Sequence, residues 1–361
     1  PSTAELPMPS PTREQVLQAV ADLRLDGMTK DLTTAGVLTD PEVSGGRVRL
    51  TLDLPSPGHP RAEELAAAVR ERIAALDGVE QVEVKTTWSV RPGDTKRPGL
   101  PGIQQVIAVA SGKGGVGKST VAVNLAAGLR AFGAQVGLLD LDIYGPSIPI
   151  ALGNDEEPLV KDGQRLIASE AHGIRFLSMG QLARGDSPVV WRGPMLHKMV
   201  MQFTEADWGE LDYLILDLPP GTGDVQLSVT QQLPVAGAVI VTTPQEIALI
   251  DARKGLQMFR DVRTPILGLV ENMAYYRCRK CSKEHAVFGR DGGAKLAETE
   301  KIPLLARIPI DPSVGSSEDA GRPIALADDG EIAQAFRAMA AETAAVAGVR
   351  SLQKNPFQVL T

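Results

Sequence analysis

Apolar and polar residues follow two different rhythms along this chain, and the change between them divides it. Residues 13–24 place Val16, Leu17, Val20 and Leu23 at helical spacing. Arg47 to Leu54 alternates with period two, which predicts a half-buried strand. Residues 61–76 predict a second amphipathic helix closed by Asp77-Gly78, and Val79, Val82 and Val84 begin a strand running to Trp88. Beyond residue 103 the pattern becomes strand, glycine turn, helix, repeated. Unbroken apolar runs at 106–110, 136–139, 213–216, 238–241 and 266–270 alternate with helical stretches at 118–132, 194–206, 246–260 and 328–347. Unbroken runs suit strands buried on both faces of a parallel sheet. The expected fold is α/β, a doubly wound, mostly parallel sheet preceded by a small α+β domain.

The two regimes meet at residues 91–102, where three prolines, three glycines and three basic residues resist helix and sheet alike. The expected boundaries are a small domain over 1–90, a linker over 91–102, a larger domain over 103–350 and a tail over 351–361. The 361 residues carry 43% hydrophobic and 22% charged side chains, which excludes a disordered, collagenous or coiled-coil chain. A net charge of -7 provides no global positive field for nucleic acid or anionic lipid, so neither is an expected partner. The first twenty residues hold four prolines and no apolar core, and the longest apolar stretch, Val235 to Val241, falls far short of the ~20 residues of a membrane span. A cytoplasmic location is expected.

Chemistry concentrates after the first run of the larger domain. Ser111 to Thr120 reads Ser-Gly-Lys-Gly-Gly-Val-Gly-Lys-Ser-Thr, the G-x-x-x-x-G-K-[ST] spacing between a predicted strand and a predicted helix. Gly112, Lys113, Gly114, Gly115, Val116, Gly117, Lys118, Ser119 and Thr120 are therefore the candidate nucleotide-binding residues. Their backbone N–H groups can curl around phosphate, with the positive end of the helix behind them. Lys118 is expected on the β- and γ-phosphates of ATP and Ser119 on Mg²⁺. The second lysine, Lys113, resembles the deviant Walker A of the MinD/ParA class, and that likeness implies a lysine reaching the other subunit's nucleotide. Asp140 and Asp142 sit two apart at a strand end and share a face, and Leu214-Ile-Leu-Asp217 has the form of a Walker B strand. Asp142 is expected to orient the attacking water, and Asp140 and Asp217 to support Mg²⁺. Pro219 to Asp224 forms a glycine-hinged turn suited to sensing the γ-phosphate.

Only two cysteines occur, Cys278 and Cys281, spaced C-x-x-C among Arg277, Arg279 and Lys280, whose charges would favour thiolates. A tetrahedral zinc or a [4Fe–4S] cluster wants four ligands. Zinc completed by His285, a cluster shared across a two-fold dimer, a redox dithiol and a pair of inert surface thiols all remain open on spacing alone.

The larger domain, residues 104–348, resembles the Mrp-type iron–sulfur cluster carrier ATPases. The likeness rests on Ser111–Thr120, Asp140 to Pro149 with Tyr144-Gly-Pro-Ser147, Asp217 to Asp224, Val270-Glu-Asn-Met-Ala274, the cysteine pair, Phe288-Gly289 with Gly292-Gly293, and Ile308 to Pro312. The resemblance implies a homodimeric ATPase that holds a [4Fe–4S] cluster between subunits through Cys278 and Cys281. It also implies transfer of that cluster from an upstream assembly scaffold to apo iron–sulfur proteins. It places Asn272 on the adenine, with Pro309 to Asp311 as the other wall of the base pocket. The alternatives are a MinD/ParA-like partitioning ATPase, although residues 331–348 are alanine-rich and poor in basic groups, and a zinc-stabilised nucleotide-dependent scaffold.

The N-terminal part resembles a small domain fused to bacterial members and found alone in iron–sulfur assembly. It departs from that pattern: Pro57-Gly-His-Pro60 stands where many relatives have a cysteine, and no Asp-Pro-Glu directly follows the first helix, which is expected to run on to Leu25-Asp-Gly-Met28. A regulatory or client-docking role is expected, with His59 a loop histidine. Trp191 to Pro194 opens a Met-rich helix (Met195, Met199, Met201) expected at a dimer surface, while His172 and His197 have no companion ligands.

Overall fold

The structure is a computed structural model and describes residues 10–95, 97–142, 145–161, 165–182, 193–327 and 329–353. Tyr144, Trp191, Arg192 and the end of the tail lie outside the described residues, as do the side chains of Met195, His197 and Asp224. The chain forms two compact units, residues 1–91 with 348–361, and residues 92–347.

In the first unit, α1 (Arg13–Ala19) is closed at its start by a capping box in which Thr12 and Gln15 satisfy each other's backbone N–H. It ends at Ala19, short of the expected run to Met28, and turns carry the chain to β1 (Glu42–Ser44). An Asp-Pro-Glu does occur, displaced to Asp40-Pro41-Glu42 at the head of β1. β2 (Arg47–Leu54) buries Val48, Leu50, Leu52 and Leu54 and exposes or half-exposes the residues between, as its alternation predicts. α2 (Ala62–Ala74) crosses over to β3 (Gln81–Trp88), which pairs parallel to β2, while β1 pairs antiparallel on the other edge. Leu65, Val69 and Ile73 of α2 complete this core, joined by Leu352 from the end of the chain.

The second unit is built on eight strands. β4 (Ile103–Ser111), α3 (Lys118–Ala131) and β5 (Val136–Asp140) come first, then the short α4 (Ile148–Ala151) and a small hairpin, β6 (Val160–Lys161) with β7 (Arg165–Leu166). β8 (Ser169–Ala171), β9 (Ile174–Ser178), α5 (Met179–Leu182) and α6 (Gly193–Thr204) follow. β10 (Leu211–Asp217), α7 (Asp224–Gln232), β11 (Val235–Thr242), α8 (Glu246–Asp261) and β12 (Ile266–Glu271) complete the middle. After these come a second hairpin, β13 (Tyr276–Arg277) with β14 (Glu284–His285), then α9 (Gly292–Glu300), β15 (Leu304–Arg307), α10 (Pro312–Asp319) and α11 (Glu331–Leu352), whose residues from Gly348 on belong to the first unit. The strand order is β15-β12-β11-β4-β10-β5-β9-β8, parallel throughout except for the antiparallel edge strand β8. β5 and β11 are buried along their whole length and β10 at every residue but Asp212, as the unbroken apolar runs require.

The expected linker is partly packed on the second unit. Gly93 donates to Gln104 O, and the Arg97 guanidinium donates to Thr230 O and Leu233 O at the end of α7. Met199 of α6 packs against the sheet core, so this member of the methionine stripe serves packing within the chain. No helix among the described residues is long and apolar enough to cross a membrane.

Candidate functional site

Strand β4 lies at the centre of the sheet, and its carboxyl end runs straight into the glycine loop. Ligand sites of open parallel sheets form at this edge because helices begin there with unsatisfied N–H groups. Gly117, the residue before α3, is left-handed (φ 80) and leaves the first turn of the helix without a side-chain cap. The glycines are required for different reasons. A Cβ on Gly112 would meet the Asp251 backbone of α8 at 2.2 Å, and one on Gly117 would meet Asn272 Nδ2 at 2.2 Å. Gly114 and Gly115 instead face open space and border a cavity of about 200 Å³. Lys113, Lys118, Ser119, Thr120 and Asp142 share that wall. The Ser111 hydroxyl donates to Lys113 O and pins the loop's entry.

Lys118 is buried at the head of α3. Its Nζ lies 2.5 Å from Asp217 Oδ1 and 3.6 Å from Asp142 Oδ2. Parallel pairing sets Asp217 directly beside Asp140, so the strands alone bring the carboxylates together. Burial raises the Asp217 carboxyl above the usual range, against the pull of Lys118. Its Oδ2 is buried with no hydrogen-bond partner among the described residues. A buried carboxylate oxygen left without a donor is suited to a water of a hydrated cation, so these residues fit Mg²⁺.

Asp140 is placed differently from its expected role. Its Oδ2 accepts from Ser178 Oγ at 2.8 Å and its Oδ1 from the Asp142 N–H at 3.0 Å, and it does not border the cavity. Burial, reinforced by Asp217, pushes its carboxyl up to about 7. Both oxygens are committed within the protein, so Asp140 holds the backbone of Asp142, and Asp142 faces the cavity. Ser178 at the end of β9 carries no motif, and spacing could not have found it.

Asn272, expected on adenine, donates from Nδ2 to Val116 O at 2.8 Å and thereby braces the phosphate loop. Asp311 is the N-cap of α10 and accepts from Ser313 N and Oγ. Burial works to raise its carboxyl, but Ser313 and Arg279 outweigh that and hold it low. Pro309 lies between Ile308, which donates to Glu271 O, and Ile310, which donates to Tyr275 O, so this segment is zipped to the chain around Asn272. At the far end of α10, Glu318 accepts from Thr120 Oγ at 3.1 Å, a link no motif signalled. Burial pushes Glu318 up to about 7.

Cys278 and Cys281 occupy the turn of the β13–β14 hairpin. Cys278 donates its N–H to Lys283 O, Ser282 donates to Cys278 O, and Ser282 adopts a left-handed φ of 57 that closes the turn. Backbone N–H groups of Cys281 and Lys280 aimed at the Cys278 sulfur hold its thiol below the usual range, with Cys281 adding to the effect. Arg277 pairs with Glu284 and Glu331, and Arg279 with Asp311, so their charges are engaged elsewhere. Both thiols are free and reach the surface, Cys281 more so than Cys278. His285 pairs in register with Tyr276, and among the described residues no three His, Cys, Asp or Glu side chains gather into a metal site.

Residues 102–344 match the family described as ParA, NUBPL iron-transfer P-loop NTPase, and residues 13–85 match the family described as iron-sulfur cluster assembly protein. The iron-sulfur cluster carrier protein of Deinococcus radiodurans is 44% identical over 349 residues, which cover 96% of this chain and 99% of that protein. The protein of the same description from Escherichia coli strain K12 is 41% identical, covering 93% of each. Among solved structures, a nucleotide-binding protein of Archaeoglobus fulgidus in complex with ADP is 39% identical, with TM-score 0.57, over 64% of this chain and 91% of its own. The Pyrococcus horikoshii septum site-determining protein MinD complexed with Mg-ADP, at 22% identity and TM-score 0.50, covers 68% of this chain and 98% of its own and shares the fold.

Proposed function

The chain belongs to the NUBPL iron-transfer P-loop NTPases, and from that premise we propose that it is an ATP-hydrolysing carrier of iron–sulfur clusters. The cargo is a [4Fe–4S] cluster held between two copies by Cys278 and Cys281 of each and handed to apo iron–sulfur proteins. The observation that carries this reading is the hairpin turn. It presents two free thiols at the surface, with backbone N–H groups directed at the Cys278 sulfur. Such donors stabilise a thiolate and persist when the sulfur is metal-bound. Two thiols per chain are half of a four-ligand set, and a two-fold axis supplies the other half.

The nucleotide half of the reading rests on the loop. Uncapped N–H groups at the start of α3, Gly114 and Gly115 facing the cavity, and Lys118 fit the β- and γ-phosphates of ATP. Ser119 would hold Mg²⁺, with Asp217 reaching it through water, and the ion would neutralise charge building on the phosphate oxygens. Lys118, now paired with Asp217, would turn to the phosphates and return Asp217 Oδ1 to the cation's water. Asp142, held by Asp140 and through it by Ser178, orients the attacking water. Lys113 is proposed to complete the partner copy's site, and Asn272 with Pro309 and Asp311 to flank the base.

Anaerobic reconstitution with iron and sulfide tests the reading. The expected result is about four iron and four sulfide per two chains, with a broad charge-transfer absorption, both lost in Cys278→Ala. One tightly held zinc per chain, or a full cluster on the Cys278→Ala protein, would sink it.

A further inference from the structure

The N-terminal unit contains a cavity of about 330 Å³ that takes no part in the nucleotide chemistry. It opens between the end of β2, the loop through Gly58, the first turn of α2 and the end of β3, and its wall includes Ser56, His59, Glu63, Thr86 and Trp88. Two of these side chains are buried polar groups. Ser56 is 1% exposed, and its hydroxyl has no hydrogen-bond partner among the described residues. His59 is 8% exposed, and its Nδ1 accepts from the Arg61 N–H at 3.2 Å. Burial, then the charge of Arg61, favours the neutral ring, whose proton therefore sits on Nε2.

A third source of donors is α2 itself. This helix of 13 residues starts with Arg61 at the N-cap, which makes no side-chain hydrogen bond to it. The Ala62 N–H is taken by His59 O, and the first turn behind it has no cap of its own. A hydroxyl, an imidazole and a helix N-terminus thus border one space, with the Glu63 carboxylate as the charged acceptor on its wall. Donors in excess select an acceptor-only ligand. Among the described residues no lysine or arginine lines the cavity, and the Glu63 carboxylate stands at its edge, which disfavours a doubly charged group such as phosphate. The apolar faces of Leu54 and Trp88 suit a short hydrocarbon stem.

The geometry points to a binding site in the N-terminal unit for a single carboxylate, with Ser56 and the start of α2 as its donors and His59 as the group that selects it. The site is independent of the cluster and of ATP. The same carboxylate could belong to a small organic acid or to the C-terminus of another polypeptide.

Both sources can be tested on the full chain through the Trp88 indole N–H resonance, assigned by its loss in Trp88→Phe. Acetate should shift it along a saturating curve, and acetamide, the uncharged isostere, should bind at least about tenfold more weakly. Ser56→Ala should weaken acetate about fivefold or more while the unfolding temperature holds or rises, because a hydroxyl without an internal partner is removed. His59→Phe should weaken it as well, and inorganic phosphate should bind less tightly than acetate. An N-acetylated tripeptide with a free C-terminus that binds better than both acetate and its amidated form identifies a polypeptide terminus. Acetate binding at least as well identifies a small acid. A linear response to acetate, equal binding of acetamide, tighter phosphate, or unchanged acetate affinity in Ser56→Ala overturns the assignment.

Discussion

Lys118 is a phosphate-binding candidate by its motif, and the structure adds a contact that the motif does not record. Its position in the motif points to phosphate, yet here it is the counter-ion of a buried aspartate. Removing one member of a buried pair costs about 3–5 kcal/mol when the other stays charged. Lys118→Ala should therefore abolish nucleotide turnover, measured as phosphate release, by at least about 100-fold, and should destabilise the fold as well. The second effect depends on pH with a definite sign. Asp217 is already raised by burial, and losing Lys118 raises it further, so the folded protein keeps a proton that the unfolded chain releases. Stability from such a group is present at low pH and lost as pH rises through the folded value. Thermal unfolding should show a larger loss at about pH 8 than at about pH 5. An equal loss at both would mean that Asp217 is not the group left uncompensated. Asp140 and Asp142 carry a related lesson. Their spacing reveals a shared face, but only the Ser178 contact separates the carboxylate that holds from the one that faces the cavity.

Among elements, α3 shows how packing overrides propensity. Glycine in mid-helix costs about 1 kcal/mol relative to alanine, yet Gly128 sits where a Cβ would lie 2.7 Å from the Ala340 Cβ of α11. Gly128→Leu gains that propensity and meets an overpacking cost of about 1–3 kcal/mol or more. The urea midpoint of the variant should fall, and an unchanged midpoint would remove the close α3–α11 approach from the account of stability. The long apolar strands were legible because burial on both faces leaves no room for polar residues. β8, β15, α9 and α10 were not, since elements of three to nine residues carry too few turns or pleats for a period to register. α10 matters most among these, because its ends connect Arg279 beside the cysteines, through Asp311, to Thr120 through Glu318.

For the whole molecule, the count of two cysteines sets the stoichiometry of any bridging cluster. If four thiolates from two chains hold it, a dimer with one Cys278→Ala/Cys281→Ala chain offers two and should hold none. Unfolded mixtures of wild-type and variant chains, refolded and reconstituted, should then lose cluster as the square of the wild-type fraction. An equal mixture would retain about one quarter. A linear loss, leaving half, would mean that each chain binds alone. The sequence by itself determined the parallel α/β unit, the phosphate loop, the acidic strand ends and the cysteine pair, because each is a short-range pattern that local backbone geometry enforces. The tertiary structure alone decided which aspartate faces the cavity, that backbone N–H groups of the hairpin turn tune Cys278, and that Ser56 and His59 border an N-terminal cavity. Those outcomes depend on groups far apart in the chain, where burial and a few ångströms of distance set the energy and no spacing in the sequence records them.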